Sequence, residues 1–164
     1  MAGTINGETI KRAIARKLSA SFNTDGKSFK VYKERIVQGM QRPCFFVWQI
    51  NVEQTKVARD TYGLHYQMQI RYHTPDTEAS DFEELCLIGN EILQALSTID
   101  VPILVRDDAG ELVETTLPIF GKKMEYKVDE DDVLLAYVNY DVRIRKEQTI
   151  NPMSSVTINE STRR

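Results

Sequence analysis

The sequence predicts an α+β fold: two helices packed on one face of a mainly antiparallel sheet, plus an extended C-terminal arm. Three observations predict it. Tyr62, Leu64, Tyr66, Met68, Ile70 and Tyr72 alternate with His65, Gln67, Gln69, Arg71 and His73, which is the period of two of a long strand with one apolar face. Two other segments, residues 4–21 and a stretch ending near Ser97, carry their apolar residues at helical spacing. The links between predicted strands are short and rich in turn formers, so sequential strands should pair as hairpins.

Each element can be justified in chain order. In residues 4–21, Ile10, Ala13, Ile14 and Leu18 share one side, while Lys11, Arg12, Arg16 and Lys17 occupy the other. Thr4 or Asn6 is positioned to cap this helix, Glu8 suits the positive end of its dipole, and Asn23-Thr24-Asp25-Gly26 stops it. A short strand is expected at residues 29–32, then a loop through Gly39 to Pro43. A second strand is expected at 44–53, with Cys44, Phe46, Trp48, Ile50 and Val52 on one face and Phe45 and Val47 on the other. The polar run 53–61 joins it to the long strand as a hairpin with a projecting tip. Ser80 and Glu83 have capping-box spacing before a helix carrying Phe82, Leu85, Ile88, Ile92 and Leu96. Residues 101–105 and 112–118 flank Asp107-Asp108-Ala109-Gly110, a hairpin turn, and the strand can continue over 119–127. After the acidic turn at 129–132, Leu134, Ala136, Val138, Tyr140, Val142 and Ile144 alternate against Asn139, Asp141, Arg143 and Arg145 as a final strand.

These elements make one domain, residues 1–147, followed by a polar arm, 148–164. A chain of this length buries roughly 68–70% of its unfolded surface, so the core needs no staples. With 41% hydrophobic and 27% charged residues the composition is globular, and a net charge of −3 argues against an electrostatic grip on nucleic acid. No apolar run reaches the length of a membrane helix or a signal-peptide core, so neither membrane association nor export by that route is expected. Cys44 and Cys86 sit among apolar residues and are expected as buried, reduced thiols. The arm is too polar to build a core, and is expected to be ordered by a neighbouring subunit.

No catalytic, metal or cofactor site emerges. His65 and His73 lie eight residues apart on one strand, about 26 Å, too far to share a metal ion. Neither zinc spacing, a Walker loop, a dinucleotide glycine pattern nor a nucleophile elbow is present. Asp129, Glu130, Asp131 and Asp132 lack the alternating ligands and central glycine of a calcium loop, and read first as a solvated turn. The basic side of the first helix reads first as a solvated face. The varied outer face of the long strand suggests a wall that touches other proteins.

The segment Ile36-Val37-Gln38-Gly39-Met40-Gln41-Arg42-Pro43-Cys44-Phe45-Phe46-Val47 resembles a glycine–proline–aromatic signature of phage tail terminator proteins, found in tailed phages, phage-like elements and phage-tail-like particles of Gram-positive bacteria. The strand ending Ile70-Arg71-Tyr72-His73-Thr74-Pro75 and the runs 124–127 and 138–142 resemble the same family, so that the likeness spans about residues 5–146. His73-Thr74 departs from the family's usual aromatic before proline. The resemblance implies a structural virion protein at the neck-proximal end of the tail, assembled from host cytoplasm. It implies a homo-oligomeric, hexameric ring that caps the tail tube, ends tube and sheath polymerisation and provides the surface for head–tail joining. Implied partners are the tail tube protein, a head–tail connector or collar protein and, in contractile tails, the sheath protein. DNA only passes through the ring, and no cofactor is implied. On this reading the candidate contacts are Gln54, Thr55, Lys56, Arg59 and Asp60 at the hairpin tip, Asp129, Glu130, Asp131 and Asp132 at the acidic turn, and Val156, Thr157 and Ile158 in the arm. Alternatives of other kinds stay open: a connector or other ring-forming tail protein, a small enzyme without a recognisable motif, or a ligand-binding domain using Tyr62, Tyr66 and Tyr72.

Overall fold

Asn6, not Thr4, starts the first helix: its Oδ1 accepts the Thr9 N–H at 2.9 Å while Thr9 Oγ1 accepts the Asn6 N–H at 2.9 Å. This reciprocal cap satisfies two amides that a helix start leaves orphaned. The computed structural model describes residues 5–33, 38–75 and 81–145. In order they form α1 (Gly7–Phe22), β1 (Lys30–Tyr32), β2 (Cys44–Ala58), β3 (Thr61–His73), α2 (Phe82–Ala95), β4 (Thr98–Arg106), β5 (Leu112–Val128) and β6 (Leu134–Arg145). The arm, with Val156, Thr157 and Ile158, lies outside the described residues.

The six strands form one sheet in the order β1-β2-β3-β6-β5-β4, antiparallel except for the β1–β2 pair. The expected α+β fold is therefore present. Ile10, Ala13, Ile14, Leu18 and Phe22 of α1, and Leu85 and Ile92 of α2 with its C-cap Leu96, meet Phe45, Val47, Met68, Ile70, Ala136, Val138 and Tyr140 in a single core. α2 lies close on the sheet at Gly89, where an added Cβ would lie 2.7 Å from the Tyr126 ring. Tyr140 Oη, fully buried, donates to the Leu96 carbonyl at 2.7 Å and so satisfies an acceptor at the end of α2.

Several boundaries differ from the sequence expectation. The run 53–58, taken for a connection, is paired strand: β2 continues to Ala58 and turns through Arg59-Asp60 into β3. Cross-strand pairing with β3 holds a polar segment that has no apolar face of its own. A bulge at Ile50 also reverses the face assignment of β2. Before it, Phe46 lies opposite Arg71 on the outer face; after it, Val52 lies opposite Tyr66 on the helix face. Ile50 itself is half exposed. The second helix is capped by Asp81, whose Oδ1 accepts the Glu83 N–H at 3.1 Å, whereas Ser80 lies outside the described residues. Phe82 faces solvent rather than the core. Both cysteines are free thiols, but only Cys44 is fully buried.

β5 belongs to two pairings. Residues 112–120 pair with β4, and from Gly121 onward the strand pairs with β6. A bulge between Lys122 and Glu125, with Lys123 at φ 34°, lies just past the switch. The sheet thereby curls, bringing β4 against α1, where Lys17 Nζ is 3.8 Å from Asp100. Beyond that point β4 and β5 continue as a two-stranded ribbon.

Candidate protein-contact surfaces

The sequence-predicted contacts fall at opposite ends of the sheet. Thr61 pairs with Arg145 and Tyr72 with Leu134, so the Arg59-Asp60 tip and the turn before β6 are separated by the length of β3, roughly 40 Å at the usual strand rise. They cannot belong to one site. Gln54, Thr55, Lys56 and Arg59 are exposed, and Asp60 is half-buried at the turn.

The acidic turn is built by its first residue. Asp129 Oδ1 accepts the N–H groups of Asp131 at 3.0 Å and Val133 at 2.9 Å, so this carboxylate closes the hairpin. Glu130, Asp131 and Asp132 remain exposed, with Asp132 held at φ 56°. Among the described residues, no cluster of three or more histidines, cysteines or carboxylates is arranged to hold a metal ion.

The outer sheet face is a half-buried aromatic and cationic wall. Tyr32 stacks on Phe46 with ring centroids 5.2 Å apart, and His73 meets the same ring edge-on at 5.4 Å. The Arg71 guanidinium lies 5.1 Å from the Trp48 ring centroid and the Lys127 ammonium 5.7 Å from that of Tyr137. Gln69 Nε2 donates to Tyr137 Oη at 3.2 Å. Burial, with Arg42 and Arg71 nearby, holds His73 below the usual histidine range. Arg71 Nε is buried with no hydrogen-bond partner among the described residues. Farther along the face, Asp141 shares a hydrogen bond with His65 Nδ1 and takes Lys122 Nζ at 2.7 Å on its other oxygen. That lysine first holds the Asp141 carboxyl below its ordinary value; burial opposes it, and the His65 hydrogen bond adds a further lowering.

The third surface was missed from sequence. Ile99, Val101, Ile103 and Val105 of β4 lie opposite Ile119, Leu117, Thr115 and Val113 of β5. This ladder begins in the core, with Ile99 and Val101 fully buried, and runs out into solvent, where Val105 is 37% and Val113 40% exposed. Leu112 and Phe120, on the opposite face of the ribbon, are more exposed still. The available signal was adjacent apolar pairs, Leu104-Val105 and Leu112-Val113, which make both faces of a predicted hairpin apolar.

The sequence matches the family described as phage tail terminator protein over residues 9–152. The chain belongs to the phage tail terminator family. This tail terminator homologue is accordingly a structural protein of the phage tail, from a family that is not enzymatic. No curated protein matches it. Among solved structures, a chain from "Virion of native gene transfer agent (GTA) particle" is similar, with TM-score 0.45 and 15% identity, covering 84% of this chain and 95% of that one.

Proposed function

We propose that this tail terminator homologue caps the tail tube as a ring, ends polymerisation of the tube and of any sheath, and presents the surface on which the head is joined. The match to the family over residues 9–152 carries this reading. Two features support it: uncovered aromatic and apolar surfaces on a rigid curled sheet, and contact candidates at both ends of that sheet, as a ring meeting the tube on one side and the connector on the other needs. The mechanism is geometric. One ring face copies the tube's own interface, while the other lacks its continuation, so addition of subunits stops. No step requires a catalytic group or cofactor.

In this reading Gln54, Thr55, Lys56, Arg59 and Asp60 contact tube, sheath or the adjacent subunit, and Glu130, Asp131 and Asp132 face the lumen or the connector. An acidic lumen repels DNA in passage and keeps the channel from gripping it. The arm at 148–164 adds Val156-Thr157-Ile158 to a neighbour's sheet edge. Electron microscopy of particles made without the protein tests the whole reading. Overlong or headless tails support it; tails of normal length with unsealed heads indicate a connector instead. Deleting residues 148–164 should leave a folded protein that assembles poorly, and unchanged particle yield would refute the arm's role.

A further inference from the structure

The ribbon of β4 and β5 and the groove between α1 and β1 are complementary surfaces at opposite ends of the strand order. The ribbon offers the exposed rungs Val105, Val113 and Leu117, and its tip carries Asp107, Asp108, Glu111 and Glu114 against a single cation, Arg106. Arg106 is turned inward, its Nη1 donating to the Gly110 carbonyl at 2.8 Å. The groove, about 560 Å³, has Ala15, Phe29 and Val31 among its lining and Arg12, Arg16, Lys30 and Lys33 around them. Among the described residues, Glu8 Oε1 lies 3.8 Å from Arg12 Nε, and one carboxylate against these cations leaves an excess of positive charge. An apolar ribbon with an acidic tip therefore has, on the same chain, a basic groove with a partly apolar floor.

We infer that the β4–β5 ribbon of one copy docks by its face into the α1–β1 groove of the next. Two unlike surfaces on one chain make a heterologous contact, which closes into a ring when the rotation allows. This rests on the ring reading above and names the contact that builds the ring. Strand addition at the β4 edge is disfavoured. The bonds from Asp107 N–H to Glu111 O at 2.9 Å and from Gly121 N–H to Ser97 O at 2.8 Å set the parity of the hairpin. Odd-numbered residues of β4 turn their backbone to β5, and even-numbered ones turn outward, so Pro102 removes a donor from the middle of the free edge. What remains for a partner is the apolar face and the charge.

The test is a charge exchange. Arg12→Glu, Arg16→Glu and Lys30→Glu together make the groove acidic; Asp108→Lys, Glu111→Lys and Glu114→Lys together make the tip basic. All six side chains are exposed, so circular dichroism should match the unaltered chain. Each variant meets like charge when it pairs with itself and should assemble at least roughly tenfold more weakly. Mixed one to one, each tip meets an opposite groove, and native mass spectrometry should find rings of alternating composition. In cells lacking the natural protein, either variant alone should give defective tails, and both together finite, head-joined ones. Variants that assemble alone as the original does, or a mixture that stays apart, overturn the contact. Rings of the unaltered chain should also loosen between about 0.05 and 1 M salt, and insensitivity to salt counts against it. Failure of the ring reading looks different: particles lacking the protein would then have normal tails.

Discussion

The β3–β6 pair and the β4–β5 ribbon are both antiparallel, twisted and apolar on the side that faces the helices, yet they differ in what that side touches. Met68, Ile70, Ala136 and Val138 are fully buried beneath the helices. Along the ribbon, the Ile99–Ile119 rung is buried, on the next rung Leu117 is already exposed beside buried Val101, and at the outer end Val105 and Val113 are both exposed. The difference teaches that one apolar ladder can serve folding at its base and association at its tip. An isolated two-stranded ribbon is marginal in water, so its outer rungs persist because the base is anchored against α1.

The comparison breaks most readily by truncation. Ile70→Ala should cost about 3 kcal/mol, the sum of lost burial and an unfilled cavity. Val113→Ala should cost under about 0.5 kcal/mol in the separated subunit, because its side chain is already hydrated. Urea unfolding followed by Trp48 fluorescence measures both. Equal losses would mean that the ribbon is as much a part of the core as β3.

A sharper version concerns two glycines. Gly89→Ala puts a methyl into the face of the Tyr126 ring and should destabilise by about 1–3 kcal/mol through overpacking. At Gly110 an added Cβ meets nothing within 4 Å, and only the φ of 80° resists it, so the cost should be near 1 kcal/mol. Calorimetric melting of the two variants decides the order. Tyr140→Phe falls between these, at about 1–2 kcal/mol, because the Leu96 carbonyl loses its buried donor. Its phenol is held far above the usual tyrosine range by burial alone, so alkaline titration should find it silent while the protein stays folded.

How much of this was legible in the sequence depended on where water lies. β3 and β6 were read correctly because each has one buried face, which forces strict alternation. The helices were read from the same kind of stripe, and their ends only to within about three residues, since Asn6 and Asp81 compete with Thr4 and Ser80 as equally good cap residues by composition. The β2 extension was not legible: Gln54, Thr55 and Lys56 have no apolar period, and only β3 makes them a strand. The bulge at Ile50 was also hidden, because a single inserted residue changes faces without changing composition. For the ribbon, alternation was present but cover was not, and sequence alone does not say which apolar face lacks a helix. Of the predicted contact residues, Arg59, Asp60 and Asp129 to Asp132 lie at turns while Gln54, Thr55 and Lys56 are paired strand, and pairing on the outer wall, such as Arg71 over Trp48, depended on a register no local pattern reveals.

The smallest expected effect separates the outer wall from the core by acidity. Asp141 titrates below its ordinary range because Lys122 and His65 bond to the ionised form. A depressed carboxyl contributes stability above its unfolded pKa, and that contribution is lost as pH falls through the folded one. The group is about a third exposed, so solvent screens most of the gain. Asp141→Asn should therefore cost less than about 1 kcal/mol at neutral pH, and nothing once the pH lies well below the depressed carboxyl value. The Ile70→Ala loss, which involves no proton, should stay constant over the same acid range. Urea midpoints taken from neutral pH downward test the contrast, and an Asn penalty that persists in acid would show that Asp141 acts by shape rather than by charge.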